Sequence, residues 1–124
     1  MASLIVASGP QEGIYLPLGK GTAVVSRGEN APLQITDPRV SRPHIQVRYD
    51  RDKDAYIALD MKSANGTFVD GVKAAGEIEL KDGDRIRIGD TTIVFSRDIP
   101  KDRPNALELV KRAGERARST VPGT

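Results

Sequence analysis

The feature that most constrains this chain is a series of short β-branched and apolar runs, each of which ends in residues that favour turns. Asn65-Gly66 and Asp70-Gly71 lie between such runs, and both pairs favour hairpins because the turn positions need a positive φ. No 3.6-residue period of helical length occurs before residue 97. The pattern is typical of an all-β sandwich or barrel of about eleven short strands. The predicted strands are 3–8, 14–18, 22–26, 33–35, 44–50, 55–60, 67–69, 77–80, 85–88 and 91–96.

The C-terminal part of the sequence differs in charge from the rest. Residues 97–124 carry seven Lys or Arg against four Asp or Glu, whereas residues 1–96 carry twelve against thirteen. The positive charge therefore belongs to this basic tail. Nucleic-acid-binding domains usually have a basic face of their own, so the near-neutral body argues against a nucleic-acid partner.

The tail also has a thin helical pattern, which predicts a short helix over residues 104–118 and a disordered end after it. Pro104 suits the first turn of a helix, and Asn105 and Glu108 have the spacing of a capping box. The pattern is compatible with a docked helix, a partner-binding segment or a flexible tail. The apolar residues at helical spacing are Leu107, Val110, Ala113 and Ala117.

The composition excludes several classes of function. A chain of 124 residues is long enough for one hydrophobic core but not for two. It has no cysteine and one histidine, so we expect no disulfide framework, no metal site and no cofactor. The N-terminal residues lack the basic segment and the long apolar run of a signal peptide or membrane span. We therefore expect a cytoplasmic protein without membrane contact.

The loop that precedes the strand at 44–50 contains a serine and a histidine that could form a catalytic pair. Ser41 and His44 are three residues apart, and Asp37 is close enough in sequence to orient an imidazole. However, no G-x-S-x-G turn surrounds Ser41, and Pro43 separates the two residues. The sequence therefore argues against a nucleophile and its base.

The same loop is better suited to an anion. Arg27 lies in one loop, and Arg39, Ser41 and Arg42 lie in the next, with only a short strand between them. A guanidinium presents a planar fork of donors that suits phosphate oxygens, and a serine hydroxyl adds another donor. Exposed loop arginines are often merely solvated, so this spacing alone leaves both interpretations open.

The order of these residues and of two later motifs resembles a forkhead-associated (FHA) domain. The matching stretches are Arg27, VSRPH at 40–44, NGTFVDG at 65–71 and LKDGDRIRIGDTTIVF at 80–95. The resemblance covers roughly residues 3–96. It implies an FHA domain over residues 1–96, folded as a β-sandwich of about eleven strands, with residues 97–124 as the tail. It also implies a non-catalytic module that binds phosphothreonine peptides through loops at one end.

The resemblance assigns a role to each candidate ligand of the phosphopeptide. Arg27 matches the phosphate-binding arginine, Ser41 matches a serine that donates to the phosphate, and Arg42 follows at a position that often adds a contact. Asn65 matches the residue that binds the peptide backbone beside the phosphothreonine. Arg39 matches a position that helps to recognise the third peptide residue after the phosphothreonine, and we expect an acidic residue to be preferred there.

The resemblance also implies that His44 and Gly66 support the site instead of touching the ligand. Two positions depart from the family pattern, since Ser26 replaces a glycine before the arginine and Ala64 replaces a Ser or Thr before the asparagine. Ser63 carries the nearest hydroxyl that could substitute for the one that is missing at Ala64.

The expected function is therefore that of an adaptor in Ser/Thr kinase signalling, whose partners are phosphothreonine-containing kinase substrates. The alternative is a phosphate-independent interaction domain that uses the surface of the sandwich.

Overall fold

The computed structural model describes residues 1–119 as eleven β-strands and one α-helix, which confirms the predicted all-β body. Residues 120–124, where most of the predicted disordered end falls, lie outside the described residues. The elements are β1 Ala2–Val6, β2 Tyr15–Leu18, β3 Thr22–Ser26, β4 Leu33–Gln34, β5 Ile45–Asp50, β6 Ala55–Asp60, β7 Thr67–Val69, β8 Val72–Lys73, β9 Glu77–Leu80, β10 Arg85–Ile88, β11 Thr91–Ser96 and α1 Arg103–Ser119.

The strands form two sheets. The six-stranded sheet has the order β2-β1-β11-β10-β7-β8, and the five-stranded sheet has the order β4-β3-β5-β6-β9. Every pair is antiparallel except β3 with β4, which is parallel. The sequence pattern did not predict β8, because two residues after the Asp70-Gly71 turn are too short to have a period.

The core lies between the two sheets and is built from alternate residues of their strands. Residues with almost no exposed surface come from both layers, and Tyr56 packs on Phe95 with ring centroids 5.6 Å apart. Burial of each large aliphatic side chain contributes about 1.5–3 kcal/mol. The central members of this core are Leu4, Val6, Val25, Ile45, Val47, Ile86, Ile88, Ile93 and Phe95.

The helix α1 packs on the outer face of the six-stranded sheet. Ile5 and Val94 are paired across β1 and β11 and are buried on the side away from the main core. Ala106 is fully buried and Ala113 is 5% exposed, since their small side chains let the helix lie close to β11. The Nε of Arg103 donates to the carbonyl of a residue in the β1–β2 loop at 3.0 Å. Of the three alternatives for the tail, the structure has the docked helix.

The helix begins differently from the predicted capping box. Asp102 is the N-cap residue, because its carboxylate accepts a hydrogen bond from the backbone N–H of Asn105 at 3.0 Å. The side chain of Asn105 donates to the same carboxylate at 2.9 Å. The helix spans one residue more at each end than the predicted 104–118. Within residues 1–119, no helix is long and apolar enough to span a membrane.

Strand direction brings four loops to one end of the sandwich. Because β3 ends where β5 begins and β6 ends, the loops 27–32, 35–44 and 61–66 are neighbours. Pairing of Ile88 with Thr67 places the β10–β11 turn at the same end. All of the sequence-predicted site residues lie in these loops or at their borders.

Candidate functional site

His44 lies beneath the loops and is fully buried. Its Nδ1 accepts a hydrogen bond from the backbone N–H of Ser41 at 3.0 Å, so its Nε2 carries the proton and donates to the carbonyl of Gly66 at 2.9 Å. The backbone N–H of His44 donates to Val25, and its carbonyl accepts from Met61. One side chain thus joins the loop 35–44 to the loop 61–66.

This geometry excludes His44 as the base for Ser41. Both ring nitrogens are engaged by backbone groups, so neither can accept a proton from the serine hydroxyl. The Oγ of Ser41 instead accepts a hydrogen bond from the backbone N–H of Ala64 at 2.9 Å. A hydroxyl that accepts one bond still has its own proton to donate. Ser41 is therefore fixed in position and keeps a free donor.

Arg27 is half-buried and is hydrogen-bonded to the loop that carries Ser41. Its Nε donates to the carbonyl of Val40 at 2.9 Å, and its backbone N–H donates to the carbonyl of Ser41 at 3.2 Å. Among residues 1–119, no carboxylate lies within ion-pair distance of Arg27. Its terminal guanidinium nitrogens are therefore available for an external anion.

The other predicted ligands are more exposed. Arg42 makes no hydrogen bond or ion pair with any described residue, and its peptide bond to Pro43 is cis. The side-chain amide of Asn65 donates to the backbone carbonyl of Arg39 at 2.9 Å, which joins their two loops. The side chain of Arg39 is 68% exposed, and its guanidinium lies 3.8 Å from the carboxylate of Asp90.

Asp60 organises the loop that carries Asn65. Its carboxylate accepts hydrogen bonds from the hydroxyls of Ser63 and Thr67 at 2.5 and 2.7 Å and from the backbone N–H of Ser63 at 3.0 Å. Burial opposes ionisation of Asp60, but these hydrogen bonds outweigh it and lower its pKa. Since the Ser63 hydroxyl also accepts from Gly66, it is engaged inside the loop and does not replace the missing hydroxyl at Ala64.

Asp37 joins the loop 35–44 to the β10–β11 turn. Its carboxylate accepts hydrogen bonds from the backbone N–H groups of Arg39 and Asp90 at 2.9 and 2.7 Å and from the hydroxyl of Thr91 at 2.9 Å. Burial opposes ionisation, but these donors prevail and the pKa of Asp37 is lowered. Gly89 has a φ of +58°, and a Cβ there would lie 2.9 Å from the Asp37 carboxylate.

Ser26 has a local role where the family pattern has glycine. Its buried hydroxyl accepts a hydrogen bond from the backbone N–H of Gly28 at 2.9 Å. This bond closes a short Ser-based turn over residues 26–28, with Arg27 at its centre. The departure at Ser26 is therefore accommodated inside the loop.

Sequence reasoning missed Asp37 and Asp60 as residues that position the site. Lone aspartates in polar loops usually face solvent, so neither position differs from an ordinary turn residue in sequence. The hydrogen bonds of Asp37 reach as far as Thr91, 54 residues along the chain, whereas those of Asp60 go to Ser63 and Thr67 in the loop that follows it. Among residues 1–119, no group of His, Asp or Glu side chains could hold a metal ion.

Comparison with a family model identifies a match to the FHA domain over residues 21–89. Among curated proteins, the chain is 35% identical over 77 residues to the FHA domain-containing protein FhaA of Mycobacterium tuberculosis. That match covers 62% of this chain and 14% of FhaA. It is also 34% identical over 94 residues to the oxoglutarate dehydrogenase inhibitor of Corynebacterium jeikeium, which covers 76% of this chain and 63% of the inhibitor. The chain thus spans less than two thirds of both relatives.

Solved structures have the same fold. One, from a study of phosphothreonine-dependent FHA domain interactions, superimposes with a TM-score of 0.70 at 30% identity and covers 79% of this chain and 97% of its own. Another is the FhaA FHA domain in complex with the intracellular domain of Rv3910, with a TM-score of 0.68 at 30% identity. It covers 77% of this chain and 99% of its own.

Proposed function

This chain belongs to the FHA domain family, and on that premise we propose that its loops bind phosphothreonine peptides without catalysing a reaction. FHA domains are interaction modules, and the family match includes every residue that we assign to the site. A similar structure comes from work on phosphothreonine-dependent interactions. The site and its individual contacts in this chain are our assignment.

The observation that carries the proposal is a set of donors without acidic partners. Arg27 and Arg42 have no ion pair among the described residues, and the hydroxyl of Ser41 keeps its proton while Ala64 fixes its oxygen. Charge-assisted hydrogen bonds of guanidinium groups to phosphate are about twice as strong as neutral ones. A phosphate dianion between these three residues satisfies donors that the protein itself leaves unused.

Two further residues orient the peptide in this proposal. The amide nitrogen of Asn65 donates to the carbonyl of Arg39, while its side-chain oxygen accepts no hydrogen bond from a described residue. It is therefore free to accept a backbone N–H of the peptide. Arg39 lies beside the same loop and reads an acidic residue after the phosphothreonine, exchanging its long 3.8 Å contact with Asp90 for the ligand.

A module of this kind recognises a product of Ser/Thr kinases. We infer that the chain acts as an adaptor that brings phosphorylated substrates to another protein. Few residues of an extended peptide touch the loops, so the affinity is modest and falls as salt screens the arginines.

The test is a titration of the protein with an oriented phosphothreonine peptide library and with the same library unphosphorylated. Three proteins are compared: the wild type, Arg27→Ala and Arg51→Ala. Arg51 is an exposed arginine in the β5–β6 turn, at the opposite end of the sandwich, and is the matched control for loss of one positive charge.

We expect phosphate-dependent binding that Arg27→Ala abolishes and Arg51→Ala retains. Equal binding of the phosphorylated and unphosphorylated libraries would overturn the proposal in favour of a phosphate-independent interaction through the sandwich surface. Retention of affinity in Arg27→Ala would remove that residue from the site.

A further inference from the structure

Three neighbouring side chains form a row on the outer face of the six-stranded sheet, with an aromatic ring between two cationic residues. Lys73, Phe68 and Arg87 are register neighbours on β8, β7 and β10. The guanidinium of Arg87 lies 4.3 Å from the centroid of the Phe68 ring, within the range of a cation–π contact. Since Val69 packs against the core, the preceding residue Phe68 faces outwards.

This row is continuous with the candidate site at two points. The Nζ of Lys73 lies 3.9 Å from the position that a Cβ on Gly66 would occupy, directly after Asn65. On the other side, Arg87 donates to the carbonyl of Gly89 at 3.0 Å. The row therefore lies next to the Asn65 loop and to the β10–β11 turn, within reach of a peptide that extends from those loops over the six-stranded sheet.

The two cations of the row lack acidic partners. Lys73 and Arg87 are exposed, and no carboxylate within residues 1–119 lies at ion-pair distance from either. On β5, by contrast, Arg48 is bound to Glu77 at 2.6 Å. Positive charge without a local counter-charge, next to a ligand-binding loop, favours an anion that the ligand supplies.

We propose that Lys73, Phe68 and Arg87 bind an anionic side chain of the same phosphopeptide, beyond the residues held by the loops. The inference rests on the proposed function and specifies its ligand further. The anion is a carboxylate or a second phosphate. The contact with the Phe68 ring and the hydrogen bond to Gly89 restrict the position of the Arg87 guanidinium beside the loops.

The experiment measures dissociation constants for a set of related phosphothreonine peptides. One has neutral flanks, two have a pair of aspartates on the N-terminal or the C-terminal side, and two have a second phosphorylated residue at those places. The proteins are the wild type, Lys73→Ala and Arg87→Ala, with Lys53→Ala and Arg51→Ala as controls. Both control residues are exposed in the β5–β6 turn, far from the loops.

We expect an acidic flank on one side to tighten binding to the wild type roughly threefold, the scale of an exposed ion pair. A second phosphate gives a larger gain because of its higher charge. Lys73→Ala and Arg87→Ala lose this gain and bind the neutral peptide as the wild type does. The controls keep the gain.

A charge reversal makes the test independent of simple loss of a side chain. A further phosphothreonine peptide carries a pair of lysines at the responsive flank. Because Lys73→Glu changes an exposed residue, the variant should bind this peptide more tightly than the wild type does. If the neutral phosphopeptide binds but acidic flanks give the same gain in all variants, the row is not a binding surface. If no phosphopeptide binds to the folded wild type, the proposed function fails and this inference fails with it.

Discussion

The imidazole of His44 bridges two loops, since its Nδ1 accepts the backbone N–H of Ser41 at 3.0 Å while its Nε2 donates to the carbonyl of Gly66 at 2.9 Å. The bridge fixes the backbone on both sides of the proposed phosphate. The ligand-facing residues are thus held by a side chain that the ligand does not reach, because His44 is fully buried.

Replacement of His44 should destabilise the loops of the site, although it removes no contact with the ligand. We expect His44→Ala to lower the free energy of unfolding by about 2–5 kcal/mol, because it leaves two buried backbone groups without partners and opens a cavity. Urea denaturation measures the loss. Arg27→Ala is the comparison, since it should abolish phosphopeptide binding at a cost of only about 1 kcal/mol for its one side-chain bond to Val40. Equal stability of the two variants would contradict the bridging role.

The carboxylates of Asp37 and Asp60 should make stability depend on pH in the acid range. Their pKa values lie below the ordinary 3.8, because hydrogen bonds to the ionised form outweigh burial. The unfolded chain then binds more protons than the folded one as the carboxyls titrate, so their contribution is present above about pH 4 and is lost as pH falls through the lowered values. Burial together with repulsion from Asp70 raises the pKa of Asp84, whose contribution is lost as pH rises through the raised value.

The variants Asp37→Asn and Asp60→Asn separate these opposing contributions. We expect each variant to be less stable than the wild type at pH 7 and the difference to shrink as the pH falls below about 4, because the wild type then progressively loses the stabilisation by its ionised carboxylate. The measurement is the free energy of unfolding in urea at pH 7 and at a series of lower pH values. Asp52→Asn is the control, because the carboxylate of Asp52 accepts no hydrogen bond from the described residues. A difference that stays constant with pH would show that the charge of these groups is not what stabilises the loops.

Much of the fold could be predicted from alternation alone, whereas the site could be predicted only in part. Ile45 and Val47 alternate with polar residues, and one buried face forces that register. Convergence of Arg27 with Ser41 follows from two loops separated by one short strand. The part that the Asn65 loop has in the site could be predicted only from the resemblance to a known family, because Asn-Gly by itself indicates only a turn.

The contacts that could not be predicted are those between residues far apart in sequence. Asp37 binds Thr91 across 54 positions, and Arg103 binds the carbonyl of Glu12 across 91. The sequence around either residue of such a pair contains no pattern that indicates the contact. The sequence did not predict whether α1 docks on the sheet, because buried alanines such as Ala106 contribute little to an apolar pattern.

The β10–β11 turn should tolerate no side chain at Gly89. An alanine there would need a φ of +58° and would place its Cβ 2.9 Å from the Cβ of Arg39. Gly9→Ala is the matched control, because Gly9 has a φ of +81° with nothing within 4 Å of the added carbon. We expect the control to lose about 1–2 kcal/mol from backbone strain alone. Gly89→Ala should lose more and should also weaken phosphopeptide binding through displacement of the Arg39 loop. Similar losses in stability and affinity for both variants would mean that the turn can move without disturbing that loop.

The helix α1 should contribute to the stability of the whole domain, although it lies outside the family match. Ala106 is fully buried against the sandwich, so Ala106→Glu would bury a charge or force the helix away and expose Ile5 and Val94. We expect the free energy of unfolding to fall by about 2 kcal/mol, whereas Lys111→Glu, an exposed change on the same helix, alters it by less than about 0.5 kcal/mol. Urea denaturation followed by circular dichroism measures both. Ala106→Glu should still bind phosphopeptide with wild-type affinity at low denaturant, because the loops are held by His44, Asp37 and Asp60 and not by the helix. Full stability of Ala106→Glu would show that the helix is not held on the sheet in solution.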